Sequence, residues 1–192
     1  PLLGYLLLLR YYSASYLYPV ELQRHSRVEP MLTVQEQQVK DRMDSHRCER
    51  FTFDYEMPNI TQESVIPVEP ICVHEPKKQH FLTLFTTMYD RKDKIFIFNN
   101  TVTMWPQLQG VKPVLFVTPD DKTSPTFVTM VTRACNLGWD VVVAPHCNSD
   151  SYPVLRSMWQ TILVHYDSTF YAYTNGDIIF DDTLTLTLKH LA

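Results

Sequence analysis

The sequence predicts an α/β fold in which helices cover both faces of a mostly parallel sheet. Three observations lead to this expectation. From residue 80 to residue 192, strand-like and helix-like segments alternate in the order β-α-β-α-β-α-β. The connections between them are short, which favours right-handed crossovers between parallel strands. The strand segments are apolar on both sides, as strands buried between two layers of helices usually are.

The first predicted strand, 81–86, begins just after His80, where the chain changes from polar and proline-rich to apolar. Its residues are aromatic, β-branched and apolar, which is typical of a central parallel strand. A helix is predicted over 90–108 because apolar side chains recur there at helical spacing, although 95–98 alone would also suit a strand. These side chains are Ile95, Phe98, Val102 and Trp105.

The second predicted strand, 113–117, leads into the most clearly marked helix of the chain, 125–137. Ser124 is a favourable N-cap, and Pro125 fits the first helical position because its missing N–H would have no partner there. Gly138 follows the helix and can take the left-handed conformation that often ends one.

The third predicted strand, 140–144, is followed by a polar loop and then by a strongly amphipathic helix. Ser151 is expected to cap this helix, whose apolar side chains recur with a period of 3.6 residues. They are Leu155, Met158, Trp159, Ile162, Leu163 and Tyr166. The fourth predicted strand is 169–173.

A last helix is predicted over 183–191, and Asp181 and Asp182 are expected to cap it rather than to bind metal. Taken together, the elements indicate a Rossmann-like arrangement. Ligands of such sheets bind beyond the carboxyl ends of the strands.

The folded domain is predicted to span 80–192, with two other segments before it. Residues 1–18 open with an apolar run that Arg10 interrupts, which fits a truncated signal anchor or signal segment and is too short to cross a bilayer. An apolar helix packed on the domain is the alternative. Residues 19–79 mix charged, polar and proline residues, and we expect an irregular stem or linker with local helix near 33–43.

The charge of the chain disfavours a nucleic-acid partner. Its 17 basic and 21 acidic side chains give a formal net charge of -4. A nucleic-acid-binding domain usually carries a strong basic excess.

The cysteines and two sequons bear on the cellular compartment. The chain has four cysteines, and none form a CxxC pair, so a structural zinc site is disfavoured. In an oxidising compartment the four cysteines allow three patterns of disulfide pairing, and we hypothesise the pattern that joins Cys135 to Cys147. Buried free thiols are the alternative. Sequons at Asn59 and Asn99 fit N-glycosylation in the secretory lumen.

Common nucleotide-binding and nucleophile motifs are missing from the sequence. No G-x-G-x-x-G follows a strand, and neither a G-x-x-x-x-G-K-[ST] nor a G-x-S-x-G is present. Polar residues instead follow the predicted strands, and the carboxyl ends of parallel strands meet at one edge of the sheet. The candidate site therefore includes Thr86-Thr87 and, above all, Asn175-Gly176-Asp177.

Asp177 is the strongest candidate for a metal ligand. It follows Gly176 and precedes the apolar segment 178–180, which would hold its carboxylate at the edge of a buried core. Mg²⁺ or Mn²⁺ on a diphosphate needs one or two carboxylates together with phosphate oxygens. Asn175 could add a neutral oxygen or bond a ribose hydroxyl. The structural alternative is an Asn-Gly turn in which Asp177 caps the next segment.

The strand at 169–173 and the Asn175-Gly176-Asp177-Ile178 loop close a series of four β/α units. This arrangement resembles the nucleotide-diphospho-sugar transferase superfamily, which has the GT-A fold, and most closely its uncharacterised animal members with a Tyr-x-Asn-Gly-Asp-Ile-x-Phe ending. The resemblance covers roughly residues 81–192. The hallmark of the superfamily is Asp-x-Asp, and its first acidic position is Asn175 here.

The resemblance implies that 80–192 is the nucleotide-sugar-binding half of a GT-A-like domain that is incomplete at its C-terminus. Asp177 would coordinate Mn²⁺ or Mg²⁺ on the donor diphosphate, and the metal would stabilise the departing nucleoside diphosphate. Thr86 and Thr87 would lie near the nucleoside. The partners would be a nucleotide sugar and a glycan or glycoprotein acceptor. The protein would be located in the Golgi or ER lumen or outside the cell. If the apolar N-terminus is an anchor, it would be a type II membrane protein. No catalytic residue is assigned, and this chain alone is expected to be inactive.

Two other classes of function remain open. One is a secreted or membrane-tethered α/β module that binds a partner or glycan without turnover, and Asn175 favours it because it removes one metal-binding charge. The other is a cytosolic nucleotide-binding Rossmann-like domain, which would require unused sequons.

Overall fold

The structure is a computed structural model that describes residues 31–46, 49–50, 70–74, 78–118 and 123–192. The predicted signal anchor or signal segment over 1–18, much of the predicted stem and the sequon at Asn59 lie outside the described residues. The elements in chain order are α1 (Val34–Ser45), β1 (Glu49–Arg50), β2 (Pro70–Cys72), β3 (His80–Thr87), α2 (Ile95–Met104), a 3-10 turn (Trp105–Gln107), β4 (Val111–Val117), α3 (Pro125–Asn136), β5 (Asp140–Val143), β6 (His146–Cys147), α4 (Leu155–His165), β7 (Ser168–Tyr173) and α5 (Thr183–Lys189).

The main sheet has five strands in the order β2-β5-β4-β3-β7. β3, β4, β5 and β7 are parallel, and β2 runs antiparallel along the edge of β5. The chain passes from β3 through β4 to β5 on one side and then returns to place β7 on the other side of β3. The strand order therefore reverses at β3. A separate parallel pair is formed by β1 and β6.

Helices cover both faces of the sheet, as predicted for an α/β fold with a mostly parallel sheet. Alternate side chains of each strand enter two separate cores. Helices α1, α2, α3 and α5 pack on one face, against a core that contains Leu82, Leu84, Leu115, Val117, Val141 and Val143. Helix α4 packs on the other face through Met158 and Ile162, against Phe85, Val114, Phe116 and Val142.

The start and end signals of α3 are confirmed. The Ser124 side chain accepts a hydrogen bond from the Phe127 N–H, and Pro125 occupies the first turn. Gly138 has a φ of 92°, so it takes the left-handed conformation expected after the helix.

Other predicted boundaries differ from the structure. Helix α2 covers only the central part of the predicted 90–108 helix, because turns precede it and a 3-10 turn follows it. The prediction that Ser151 caps α4 is wrong, since that helix begins at Leu155 after Val154. Ser151 instead lies in a turn with a φ of 65°.

The start of α5 agrees with the predicted capping by one of the two aspartates. The carboxylate of Asp181 accepts hydrogen bonds from the backbone N–H of Thr183, at 3.0 Å, and from the Thr183 hydroxyl. Asp182 occupies the N-cap position and makes no side-chain cap hydrogen bond.

Part of the predicted stem belongs to the folded unit. Thr33 and Glu36 form a capping box that starts α1, and Val39 and Met43 of that helix enter the core on the α3 side. The Arg42 side chain donates to the backbone oxygen of Ile71 at 2.7 Å, which joins α1 to β2. The folded unit therefore extends beyond the predicted boundary at residue 80.

The hypothesised disulfide between Cys135 and Cys147 is wrong. Cys135 is bonded to Cys72, with their Cα atoms 6.0 Å apart. Cys135 lies near the end of α3 in one core, whereas Cys147 lies in the core on the opposite face of the sheet. Cys147 is itself disulfide-bonded, so neither it nor Cys135 is a free thiol.

Candidate functional site

The candidate site lies at the carboxyl ends of β3 and β7, where the strand order of the sheet reverses. These strands are neighbours, and Phe85 pairs with Tyr173 near their ends. Ligands of open α/β sheets bind in the crevice at such a reversal point. The loop that follows β3 covers residues 88–94, and the loop that follows β7 covers residues 174–182 and contains Asn175-Gly176-Asp177.

The start of the loop after β7 is held against the end of β3. The backbone N–H of Thr174 donates to the Phe85 oxygen at 3.1 Å, which continues the pairing of the two strands. Gly176 is buried, and a Cβ at this position would lie 2.8 Å from Met88 Cγ and 3.2 Å from the Thr87 backbone oxygen. A side chain does not fit there without a shift, so glycine allows the two loops to approach this closely.

A tryptophan fixes the far side of the same loop. The Trp105 indole N–H donates to the backbone oxygen of Ile178 at 3.0 Å. Trp105 is fully buried and stacks on Trp139, with ring centroids 5.1 Å apart and planes inclined by 17°. The residues on both sides of Asp177 are therefore attached to the core.

Asp177 forms an ion pair across the crevice with Lys94. The Lys94 Nζ atom lies 2.8 Å from Asp177 Oδ2, and each side chain is 33% exposed. Lys94 is the N-cap residue of α2, and within the part of the chain that the structure describes no side chain caps the first turn of that helix. Asn175 is exposed beside the pair. The site thus presents an ammonium, a carboxylate and an amide to solvent.

The arrangement of Asp177 does not suit a divalent cation as it stands. The Lys94 ammonium already lies in hydrogen-bond contact with Asp177 Oδ2, so a metal ion would have to displace a positive charge from the same carboxylate. Within the described residues, no three His, Cys, Asp or Glu side chains lie close enough together to hold a metal ion. Metal binding through Asp177 stays a prediction.

Thr86 and Thr87 lie at the end of β3 as expected, but both side chains are largely covered. Thr86 is fully buried and its hydroxyl donates to the Thr87 backbone oxygen at 3.3 Å. Thr87 is 8% exposed, and among the described residues its hydroxyl has no partner that meets hydrogen-bond geometry. The structure therefore brings Thr87 next to Gly176, and neither threonine hydroxyl lies open to solvent.

Tyrosines surround the same strand ends on the α4 face. The rings of Tyr89 and Tyr152 meet edge to face at 5.2 Å, and Tyr173 packs against Phe85 at 5.5 Å. Burial raises the pKa of Tyr89, and the nearby Tyr173 raises it further. Burial also raises the pKa of Tyr173. The phenols of Tyr89 and Tyr173 therefore stay protonated at neutral pH.

Asn99 lies within α2, and the hydroxyl residue of its sequon is not accessible. Asn99 is partly exposed, but Thr101 is fully buried and its hydroxyl donates to the backbone oxygen of Ile97 at 3.3 Å. A glycosylating enzyme that must recognise both Asn99 and the Thr101 hydroxyl could do so only before this helix has folded.

A second charged pair lies at the opposite end of the sheet, away from the candidate site. Lys112 and Asp140 are 4% and 0% exposed, and their charged atoms lie 2.5 Å apart. Lys112 also donates to the His74 backbone oxygen at 2.8 Å, and the His74 N–H donates to Asp140 at 2.7 Å. This pair joins β4, β5 and the segment after β2, so its arrangement is structural.

No protein-family model, curated protein or solved structure matches this chain. Membership of the nucleotide-diphospho-sugar transferase superfamily therefore stays a prediction that rests on the loop after β7 and on the order of the elements. Among the described residues, no helix has both the length and the apolar character needed to cross a membrane.

Proposed function

We propose that this chain binds the diphosphate of a nucleotide sugar at the crevice between the ends of β3 and β7, as the donor-binding half of a GT-A-like glycosyltransferase. The observation that carries this proposal is the position of the Asn175-Gly176-Asp177 loop. It lies where the strand order reverses, opposite the start of α2, and diphosphates commonly bind at such points in α/β sheets.

Each residue of the loop has a distinct part in this proposal. The exposed Asn175 amide bonds a ribose or sugar hydroxyl, because it can both donate and accept. Gly176 keeps the loop close to β3, and Asp177 orients Lys94. A glycan or glycoprotein acceptor would bind elsewhere, and no catalytic residue is assigned.

The disulfide between Cys72 and Cys135 supports a location in the secretory pathway. Stable disulfides form in the ER lumen, in later secretory compartments and outside the cell, and they are rare in the cytosol. Location in the Golgi or ER lumen, or secretion, is therefore part of the proposal, whereas attachment to a membrane rests on the sequence alone.

Hydrogen–deuterium exchange with a panel of nucleotide sugars tests the place of binding. We expect a bound nucleotide sugar to slow exchange in residues 88–97 and 174–180, and to leave the opposite edge near residue 109 unchanged. Asn175→Ala should weaken binding several-fold, because one hydrogen bond to a ligand is worth about 1 kcal/mol. Gln109→Ala removes an exposed amide at the opposite edge and is the matched control.

Two results would count against the proposal: no binding by any member of the panel, or protection confined to another part of the sheet.

A non-catalytic binding module is the second candidate, because Asn175 stands where the superfamily has an acid. Binding at the crevice by a chain extended beyond residue 192, without transfer or hydrolysis of the sugar, would favour that candidate.

A further inference from the structure

We propose that Lys94, held in place by Asp177, supplies the positive charge that binds the diphosphate, and that binding needs no divalent cation. The inference rests on the proposed function for the identity of the ligand, but the anion site itself follows from the geometry of the pair. Lys94 and Asp177 come from the two loops that border the crevice, and they meet at 2.8 Å.

The position of Lys94 fits an anion site. It immediately precedes α2, the helix that follows β3, and the first backbone N–H groups of a helix carry a partial positive charge. No side chain of the described residues caps that turn of α2. The other charged residues of the loop contribute two charges of each sign, so they add no net positive charge to that of Lys94. They are Asp90, Arg91, Lys92 and Asp93, and Arg91 is paired with Asp93.

The ammonium group keeps donors for a ligand. A lysine ammonium has three N–H donors, and among the described residues only Asp177 accepts one from Lys94. Both side chains are 33% exposed, so a phosphate oxygen can reach the remaining donors. Asp177 reduces the freedom of a long, flexible side chain, which lowers the entropy that binding would cost.

The same geometry explains why Asn175 is compatible with diphosphate binding. A divalent cation on a diphosphate needs one or two carboxylates together with phosphate oxygens, but Asn175 contributes no charge and the carboxylate of Asp177 is already bonded to Lys94. An ammonium needs only one carboxylate to orient it, and Asp177 provides that carboxylate. Asp177 therefore suffices to hold the lysine, and no acid is needed at position 175.

The test measures binding of uridine diphosphate and inorganic pyrophosphate to the full chain, in EDTA and in Mn²⁺. In EDTA we expect Lys94→Met to weaken both at least tenfold, and Lys94→Arg to stay within about threefold of the unchanged protein, because the charge is kept. Lys92→Met removes an exposed charge of the same sign from the same loop and is the matched control. It should change affinity less than Lys94→Met does.

A double variant separates two roles for Lys94. If Lys94 only neutralises Asp177, then Lys94→Met combined with Asp177→Asn should restore binding, and that result would overturn the proposal. We expect the double variant to bind as weakly as Lys94→Met. Circular dichroism spectra and melting temperatures of all variants establish that they are folded.

The outcomes also distinguish this inference from the proposed function. Binding of nucleotide sugars only in Mn²⁺, with Lys94→Met binding as tightly or more tightly, would refute the lysine site and keep the glycosyltransferase-like function. Lys94-dependent binding of pyrophosphate without any binding of nucleotide sugars would keep the anion site and refute that function. Absence of all binding would refute both.

Discussion

At the scale of single residues, Lys112 is the clearest example of a charge that the fold must satisfy internally. Its ammonium contacts Asp140 and the backbone oxygen of His74, with almost no exposure to solvent. Removal of one partner of a buried ion pair leaves the other charge unpaired in a medium of low polarity, and this cost exceeds the net value of the pair.

We therefore predict that Lys112→Met lowers the free energy of unfolding by about 3–5 kcal/mol. Lys40→Met is the control, because Lys40 pairs with Asp44 on the surface of α1 and such pairs are worth less than about 1 kcal/mol. Equilibrium unfolding in urea measures both. Equal losses in the two variants would contradict the structural role given to the Lys112–Asp140 pair.

The candidate site was partly predictable residue by residue. The position of Asn175-Gly176-Asp177 at the carboxyl edge of the sheet follows from the strand before it, which the sequence marks clearly. The contact with Lys94 does not follow, because the two residues are 83 positions apart and only the folded sheet brings them together. The predicted helix over 90–108 also places Lys94 inside the helix, whereas in the structure Lys94 is the N-cap residue of α2.

At the scale of elements, the parallel strands, their helices and the local helix predicted near 33–43, which is α1, follow from local patterns, whereas β2 and the packing of α1 on the core do not. The strands are continuous apolar runs, and α3 and α4 have strong helical periodicity. Helix α1 is polar along most of its length and buries only Val39 and Met43. Strand β2 has three residues, too few for a pattern. Their attachment depends on long-range contacts that a local reading of the sequence cannot detect.

The disulfide between Cys72 and Cys135 joins β2 to α3 across 63 positions, so its loss should be costly. We predict that the Cys72→Ser/Cys135→Ser double variant loses about 2–4 kcal/mol of stability, chiefly because the unfolded chain gains freedom. Urea unfolding of the variant and the unchanged protein measures this loss. Mass spectrometry of a non-reduced digest should contain a Cys72–Cys135 peptide. A peptide that links Cys135 to Cys147 would contradict the structure.

At the scale of the whole molecule, the folded unit includes residues that precede the sheet's first parallel strand. Strand β2 covers the edge of β5, and α1 covers part of the α3 side of the core. The prediction of a domain that begins at residue 80 missed both, because the change in composition at that residue marks the start of the parallel strands and not the limit of the core.

A chain shortened to begin at residue 80 should therefore associate more readily than one that begins at residue 31. The shorter chain exposes the edge of β5, and open strand edges pair with other chains. It also leaves Cys135 and Cys147 without disulfide partners, because the other two cysteines of the chain precede residue 80. Size-exclusion chromatography of both chains tests this, and Cys135→Ser/Cys147→Ser in the shorter chain separates association through strand edges from association through thiols. A shorter chain that is monomeric and equally stable would contradict the prediction.

The placement of the tryptophans gives the protein two optical reporters, one for each face of the sheet. Trp105 and Trp139 stack nearly parallel beneath α2 and α3, whereas Trp159 meets the ring of Phe85 at 4.7 Å on the α4 face. Closely stacked indoles couple electronically and give a paired band in far-ultraviolet circular dichroism, to which Trp159 does not contribute because it has no indole neighbour at stacking distance. That band should report on the layer that holds the Ile178 anchor of the loop after β7. Its loss can be compared, without a label, with the change in total tryptophan fluorescence, to which Trp159 on the opposite layer also contributes.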